Sequence, residues 1–158
     1  MPRPRSRSLR RGRWSEAGNI YLITFVTDHR RRWFLDWPAA SNASRALAAP
    51  ATWPGSSLLC WVLMPDHWHG VLQLGEGEAL SRIAGRAKAH ATRCWKPGDG
   101  SRLWQPGFHD RALRAEDDLL AVARYVVANP IRAGLSRTFG GYPFWDAIWI
   151  GPDADPAP

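Results

Sequence analysis

Two histidines stand two apart, His67 and His69, in the segment "MPDHWHGVL". In an extended strand alternate side chains share a face, so both imidazoles point one way and Trp68 the other. Two neutral imidazoles a few ångströms apart can hold one divalent metal. Ordinary polar positions on a strand give the same spacing, with Val71 and Gln73 continuing that face. A second candidate is Tyr125 in "ARYVVANPIRAGL". On a helical wheel the apolar residues Leu119, Leu120, Val122, Ala123, Val126 and Val127 centre roughly 140° away from it. Tyr125 instead shares its face with Asp118, Ala121, Ala128 and Asn129, which are short or polar. It is either a surface residue over a neighbouring element or a phenol with room for something large. Asn129, four residues on, can reach the same point in space, although Pro130 biases it away from helical geometry. His109 and Asp110 in "WQPGFHDRALR" either position a substrate or cap a turn.

Ile20 to Thr27 is rich in β-branched and aromatic residues with both faces apolar, which predicts a central strand. Pro38 to Ala49 reads as a helix with proline in its first turn. Leu58 to Met64 and His67 to Leu74 predict a hairpin turning at Pro65–Asp66. Leu80 to Trp95 is a two-faced helix. Leu80, Ile83, Ala84, Ala87, Ala91 and Cys94 form its apolar stripe, and Arg82, Arg86, His90 and Arg93 lie within roughly 80° of one another. Leu103 to Leu113 holds one or two short strands around Gly107. Glu116 to about Ala128 is a helix opened by acids that suit its positive end. Residues 139–150 are aromatic and pack back on the body. The order strand, helix, strand, strand, helix, strand predicts a ferredoxin-like α+β fold, an antiparallel sheet backed by helices. An additional C-terminal helix carries Tyr125.

The chain has 158 residues, 45% hydrophobic and 22% charged, which suits one globular domain and excludes wholesale disorder. We expect an arm over residues 1–13, the domain over 14–150 and a frayed tail over 151–158. The longest apolar run, Leu58 to Met64, is far short of the roughly 20 residues a membrane span needs. The Arg-rich start is not followed by the apolar stretch of a secretory signal. Two cysteines make neither a disulfide framework nor a zinc cluster, so a reduced cytoplasmic setting is expected. Nine arginines in residues 1–32, against Glu16 and Asp28, carry the entire net charge of +7. A basic arm on a neutral body suggests a polyanionic partner, most simply nucleic acid, although Arg outnumbers Lys nineteen to two, as a codon bias would also give. Some of the ten tryptophans belong to a core, and others could stack on unpaired bases.

Taken together and in this order, these segments resemble the single-tyrosine HUH transposases, specifically the REP-associated tyrosine transposases of bacteria. Residues 18–28 look like that family's first strand, "MPDHWHGVL" like its HUH segment and "LSRIAGRAKAHATR" like its basic helix. "LWQPGFHDRALR" and "DDLLAVARYVVANPIRAGL" look like its last strand and tyrosine helix. The match runs from about residue 14 to 146. Trp68 is bulky for the centre of the HUH segment, and residues 34–57 match no named feature. The resemblance implies that His67, His69 and Asn129 bind Mg²⁺ or Mn²⁺ and that Tyr125 is the nucleophile. It also implies a bacterial enzyme acting on single-stranded DNA at REP-type hairpins of the nucleoid, as a monomer or homodimer. Arg10, Arg11, Arg13, Arg30, Arg31, Arg32, Arg82, Arg86 and Arg93 would then hold phosphates. Two other readings stand beside this one. A non-catalytic hairpin-binding protein would keep the fold without the chemistry. A metal-dependent hydrolase of another substrate would leave the basic arm and the tyrosine without a role.

Overall fold

The computed structural model describes residues 19–114 and 119–149. Five strands form one antiparallel sheet: β1 (Ile20–Val26), β2 (Ser57–Met64), β3 (His67–Gln73), β4 (His109–Ala112) and β5 (Trp145–Ala147), in the order β4-β1-β3-β2-β5. The first four give the expected ferredoxin-like arrangement. The fifth, which the sequence reading lacked, pairs Val62 with Trp145 and Cys60 with Ala147 and protects the β2 edge. Between β2 and β3, Pro65 and Asp66 make a two-residue turn, so Met64 faces His67 across the hairpin.

Helices α1 (Trp37–Ala48) and α2 (Leu80–Cys94) lie together on one face of the sheet. The Asp36 carboxylate caps α1 by accepting from the Ala39 N–H at 3.1 Å. Alanines at 39, 40, 43 and 46 on α1 and at 84, 87 and 91 on α2 are buried and let the two helices approach closely. Beneath them Trp68 is fully buried, its ring centroid 5.0 Å from Phe25 and 5.6 Å from Trp53 in stacked geometry. On the opposite face α3 (Leu119–Val127) packs Ala123, Val126 and Val127 against Cys60, Val62, Met64 and Val71.

Several expectations are corrected. Cys94 is exposed, because the chain leaves the helix there and Trp95 turns inward against Trp33 and Phe34 instead. As expected, the region from Leu103 gives one short strand, β4, preceded by a bridge from Trp104 to Thr27. Pro106 and Gly107 interrupt it, with Gly107 at φ 77. The tyrosine helix ends at Val127, and a separate short helix, α4 (Asn129–Arg132), begins around Pro130. Its expected start at Glu116 and the arm and tail boundaries lie outside the described residues. Leu120, assigned to the apolar stripe, is exposed. Residues 139–149 do fold back: the Tyr142 hydroxyl donates to the Leu63 carbonyl, and burial pushes that phenol's pKa up to about 12. Of the tryptophans, 53, 61, 68 and 104 are core, while Trp37 and Trp149 are exposed.

Candidate functional site

Strand alternation divides β3 between two environments. Trp68 enters the aromatic core, while His67 and His69 face the side that α3 covers, in register with Met64 and Val62 of β2 and Val26 and Thr24 of β1. The bulk of Trp68 therefore does not intrude on the histidine face. It is accommodated at Gly70, where a Cβ would fall 2.1 Å from the Trp68 ring.

The two imidazoles are adjacent, with centroids 4.5 Å apart and planes at 76°. Each has its Nδ1 engaged. His67 Nδ1 lies 2.6 Å from Asp66 Oδ1, and the other oxygen of that carboxylate accepts from Arg30 at 3.1 Å. His69 Nδ1 lies 2.7 Å from the Thr24 hydroxyl. An ionised carboxylate can only accept, so the His67 Nδ1 carries a proton and donates it to Asp66, which leaves Nε2 as the ring nitrogen not engaged by that carboxylate. Burial works against the Asp66 carboxylate, but the His67 hydrogen bond and charge, with Arg30, outweigh it and hold its pKa below the usual value. Burial first, then the charges of His67, Arg132 and Arg30, push the His69 pKa down to about 3; Asp66 acts in the opposite sense. His69 is therefore neutral near pH 7. A neutral imidazole fixed through Nδ1 by a second group is how metal-binding histidines are commonly held. The pair fits a divalent cation. Among the described residues no group of three or more His, Cys, Asp and Glu adds to it.

Asn129 is the sequence-derived candidate for a further donor. It opens α4, half-buried, with its Nδ2 donating to the Val126 carbonyl at 3.1 Å and its Oδ1 left as an acceptor. Tyr125 projects from α3 with 59% of its surface exposed, away from the valines as the wheel predicts. The Arg132 guanidinium carbon sits 3.8 Å from its ring centroid, and Nη2 donates to the Tyr125 carbonyl at 2.7 Å.

The arginines separate into groups. Arg30, Arg31 and Arg32 follow β1 at the His67 end of the sheet. Arg30 joins Asp66, while Arg31 donates to Ser101 at 2.9 Å and lies over the Trp33 ring. His29 and Arg30 both have positive φ, 55 and 52, so this turn holds two non-glycine residues in the left-handed region. The Thr27 hydroxyl, 2.7 Å from the Arg31 carbonyl and 3.0 Å from that of Asp66, ties the turn to the hairpin. Arg82, Arg86 and Arg93 are exposed on α2, across the sheet from the histidines, and Arg86 pairs with Glu78. His90, read as part of that ridge, instead turns inward, its Nδ1 2.8 Å from the Thr52 hydroxyl. Arg10, Arg11 and Arg13 lie outside the described residues.

His109 shares the histidine face, because it pairs with Thr24, which pairs with His69; Asp110, paired with Ile23, belongs to the other. The sequence reading missed Asp66, Thr24 and Arg132. Strand parity would have found Thr24, and adjacency Asp66, which had been read only as a turn former. For Arg132 the signal is its spacing, since seven residues is close to two helical turns and returns to the face of Tyr125.

Residues 17–129 match the family model described as "Transposase IS200 like". A REP-associated tyrosine transposase of Escherichia coli (strain K12) is 29% identical over 86 residues, which are 53% of this chain and 50% of that protein. This match thus spans about half the length of the curated relative. Among solved structures, a REP-associated tyrosine transposase bound to a REP hairpin superposes with a TM-score of 0.66 at 20% identity, covering 84% of this chain and 79% of that one. A putative transposase from Deinococcus radiodurans gives 0.53 at 21% identity, over 75% and 95%. At such identities the two structures show the fold.

Proposed function

We propose that this chain, which belongs to the family of IS200-like transposases, cuts and rejoins single-stranded DNA at REP-type hairpins through a covalent 5′-phosphotyrosine on Tyr125. The observation that carries this reading is the joint placement of three side chains. Two histidines with engaged Nδ1 atoms share one sheet face, and the helix packed on that face projects an exposed tyrosine. The likeness to a hairpin-bound transposase supports the choice of DNA.

His67 and His69, with the Asn129 amide oxygen, would hold a divalent cation, Mg²⁺ or Mn²⁺. When bound, such an ion polarises a phosphate and neutralises charge developing on it. The chain's own residues do the rest. Asp66 and Thr24 fix the two imidazoles in orientation, and Asp66 also places a proton on the His67 Nδ1. The Tyr125 oxygen attacks phosphorus and forms a P–O bond while the bond to the 3′ oxygen breaks. The phenol proton is lost and the departing 3′ oxygen takes one up, so no net proton is consumed. The phosphotyrosine keeps the energy of the broken phosphodiester, and a second 3′-hydroxyl can reseal the strand by the reverse step. Arg30, Arg31 and Arg32, at the His67 end, contact phosphates near the cut. Arg82, Arg86 and Arg93, on the far face, and Arg10, Arg11 and Arg13 contact phosphates elsewhere along the hairpin.

The test is a labelled single-stranded oligonucleotide carrying a REP-like hairpin and flanking bases, incubated with the protein and Mn²⁺. We expect a protein–DNA adduct that survives denaturing detergent, is lost on chelation and is absent in Tyr125→Phe, whose hairpin affinity is unchanged. Hairpin binding with no adduct from the wild type would make the chain a non-catalytic hairpin binder. Cutting that persists in Tyr125→Phe would make it a hydrolase of another kind.

A further inference from the structure

Tyr125 is an exposed side chain on a helix, and an exposed tyrosine ordinarily samples more than one staggered rotamer. A nucleophile that wanders loses rate, since in-line attack needs the oxygen held within a fraction of an ångström of its line. One residue addresses this directly. Arg132 stands seven residues later, in α4 beyond the break at Ala128, and its side chain reaches back to Tyr125. Its guanidinium carbon lies over the phenol, 3.8 Å from the ring centroid and inside the range of a cation–π contact. Its Nη2 bonds to the carbonyl of the same tyrosine at 2.7 Å. The ring and the backbone of one residue are therefore gripped by one rigid planar group, a grip that a lysine ammonium cannot copy.

We propose that Arg132 is the positioning residue of the nucleophile: it clamps the Tyr125 ring in one rotamer through its paired contacts to the ring and to the backbone carbonyl. The proposal rests on the strand-transfer reading for its catalytic consequence, but the clamp itself can be measured without DNA or metal. Scalar couplings across the Tyr125 Cα–Cβ bond in the free full-length protein report its rotamers. We expect a single rotamer in the wild type and averaging in Arg132→Ala and Arg132→Lys. Arg132 is exposed, so both variants should melt with the wild type. In single-turnover adduct formation at saturating hairpin DNA, the rate should fall about 10- to 100-fold in Arg132→Ala. Arg132→Lys, which keeps charge without the planar fork, should remain about tenfold slow. DNA affinity should change little in either. Unaveraged couplings in Arg132→Ala, or a wild-type rate at saturation in either variant, would overturn the clamp. A wild type that forms no adduct while its couplings still depend on Arg132 would instead overturn the strand-transfer reading and leave the clamp standing.

Discussion

Strand β3 has two faces built to different rules. On one, Trp68 is sealed against Phe25 and Trp53 beneath two alanine-rich helices, and its indole N–H has no hydrogen-bond partner. On the other, His67 and His69 are only partly covered, and every ring has a named polar partner. The first face is optimised for volume; an orphaned N–H is tolerated because the ring fills its space. The second is optimised for direction, since Asp66 and Thr24 fix which nitrogen each imidazole presents. Residues one apart in sequence therefore differ in what they contribute, with Trp68 supporting the stability on which the histidine geometry depends.

Substitutions can separate the two. Trp68→Ala should cost about 3–5 kcal/mol of stability, read by chemical denaturation, while Mn²⁺ affinity of the still-folded fraction stays close to wild type. An equal loss of metal affinity would mean the faces are not independent. Gly70→Ala is the finer test of the same face. Its Cβ would meet the Trp68 ring, which is fully buried and has nowhere to go, so about 1–3 kcal/mol should be lost. Coupled with Trp68→Leu the penalty should largely disappear. On the other face Asp66→Asn removes the carboxylate that orients His67 and pairs with Arg30. Mn²⁺ affinity by calorimetry should weaken about 10- to 100-fold, with a melting temperature near that of the wild type; unchanged affinity would deny Asp66 its orienting role.

Much of this division was legible in the sequence, because a strand has a strict period of two. His67 and His69 had to share a face, Trp68 had to oppose them, and the valines of "RYVVA" had to leave Tyr125 outside. The order of elements likewise implied the antiparallel sheet. Other parts needed the third dimension. The three residues of β5 are too few to show a pattern. The arginine ridge of α2 was visible as a ridge, but its distance from the histidines follows only from both crossover helices lying on one face of the sheet. Thr24 is 45 residues from His69, and only register joins them. Arg132 stands about two helical turns beyond Tyr125, across a helix break at Ala128 that Pro130 hints at without fixing its geometry.

The central claim is that the face of β3 opposite the core serves a single nucleophile on α3. The most direct test is to digest the detergent-stable adduct with protease and nuclease and locate the nucleotide remnant by mass spectrometry. The account predicts a remnant joined through its 5′ phosphate to Tyr125, and to neither Tyr21, which is buried, nor Tyr142, whose hydroxyl is bonded to Leu63. A remnant on any other residue, or a 3′ rather than a 5′ linkage, would contradict it.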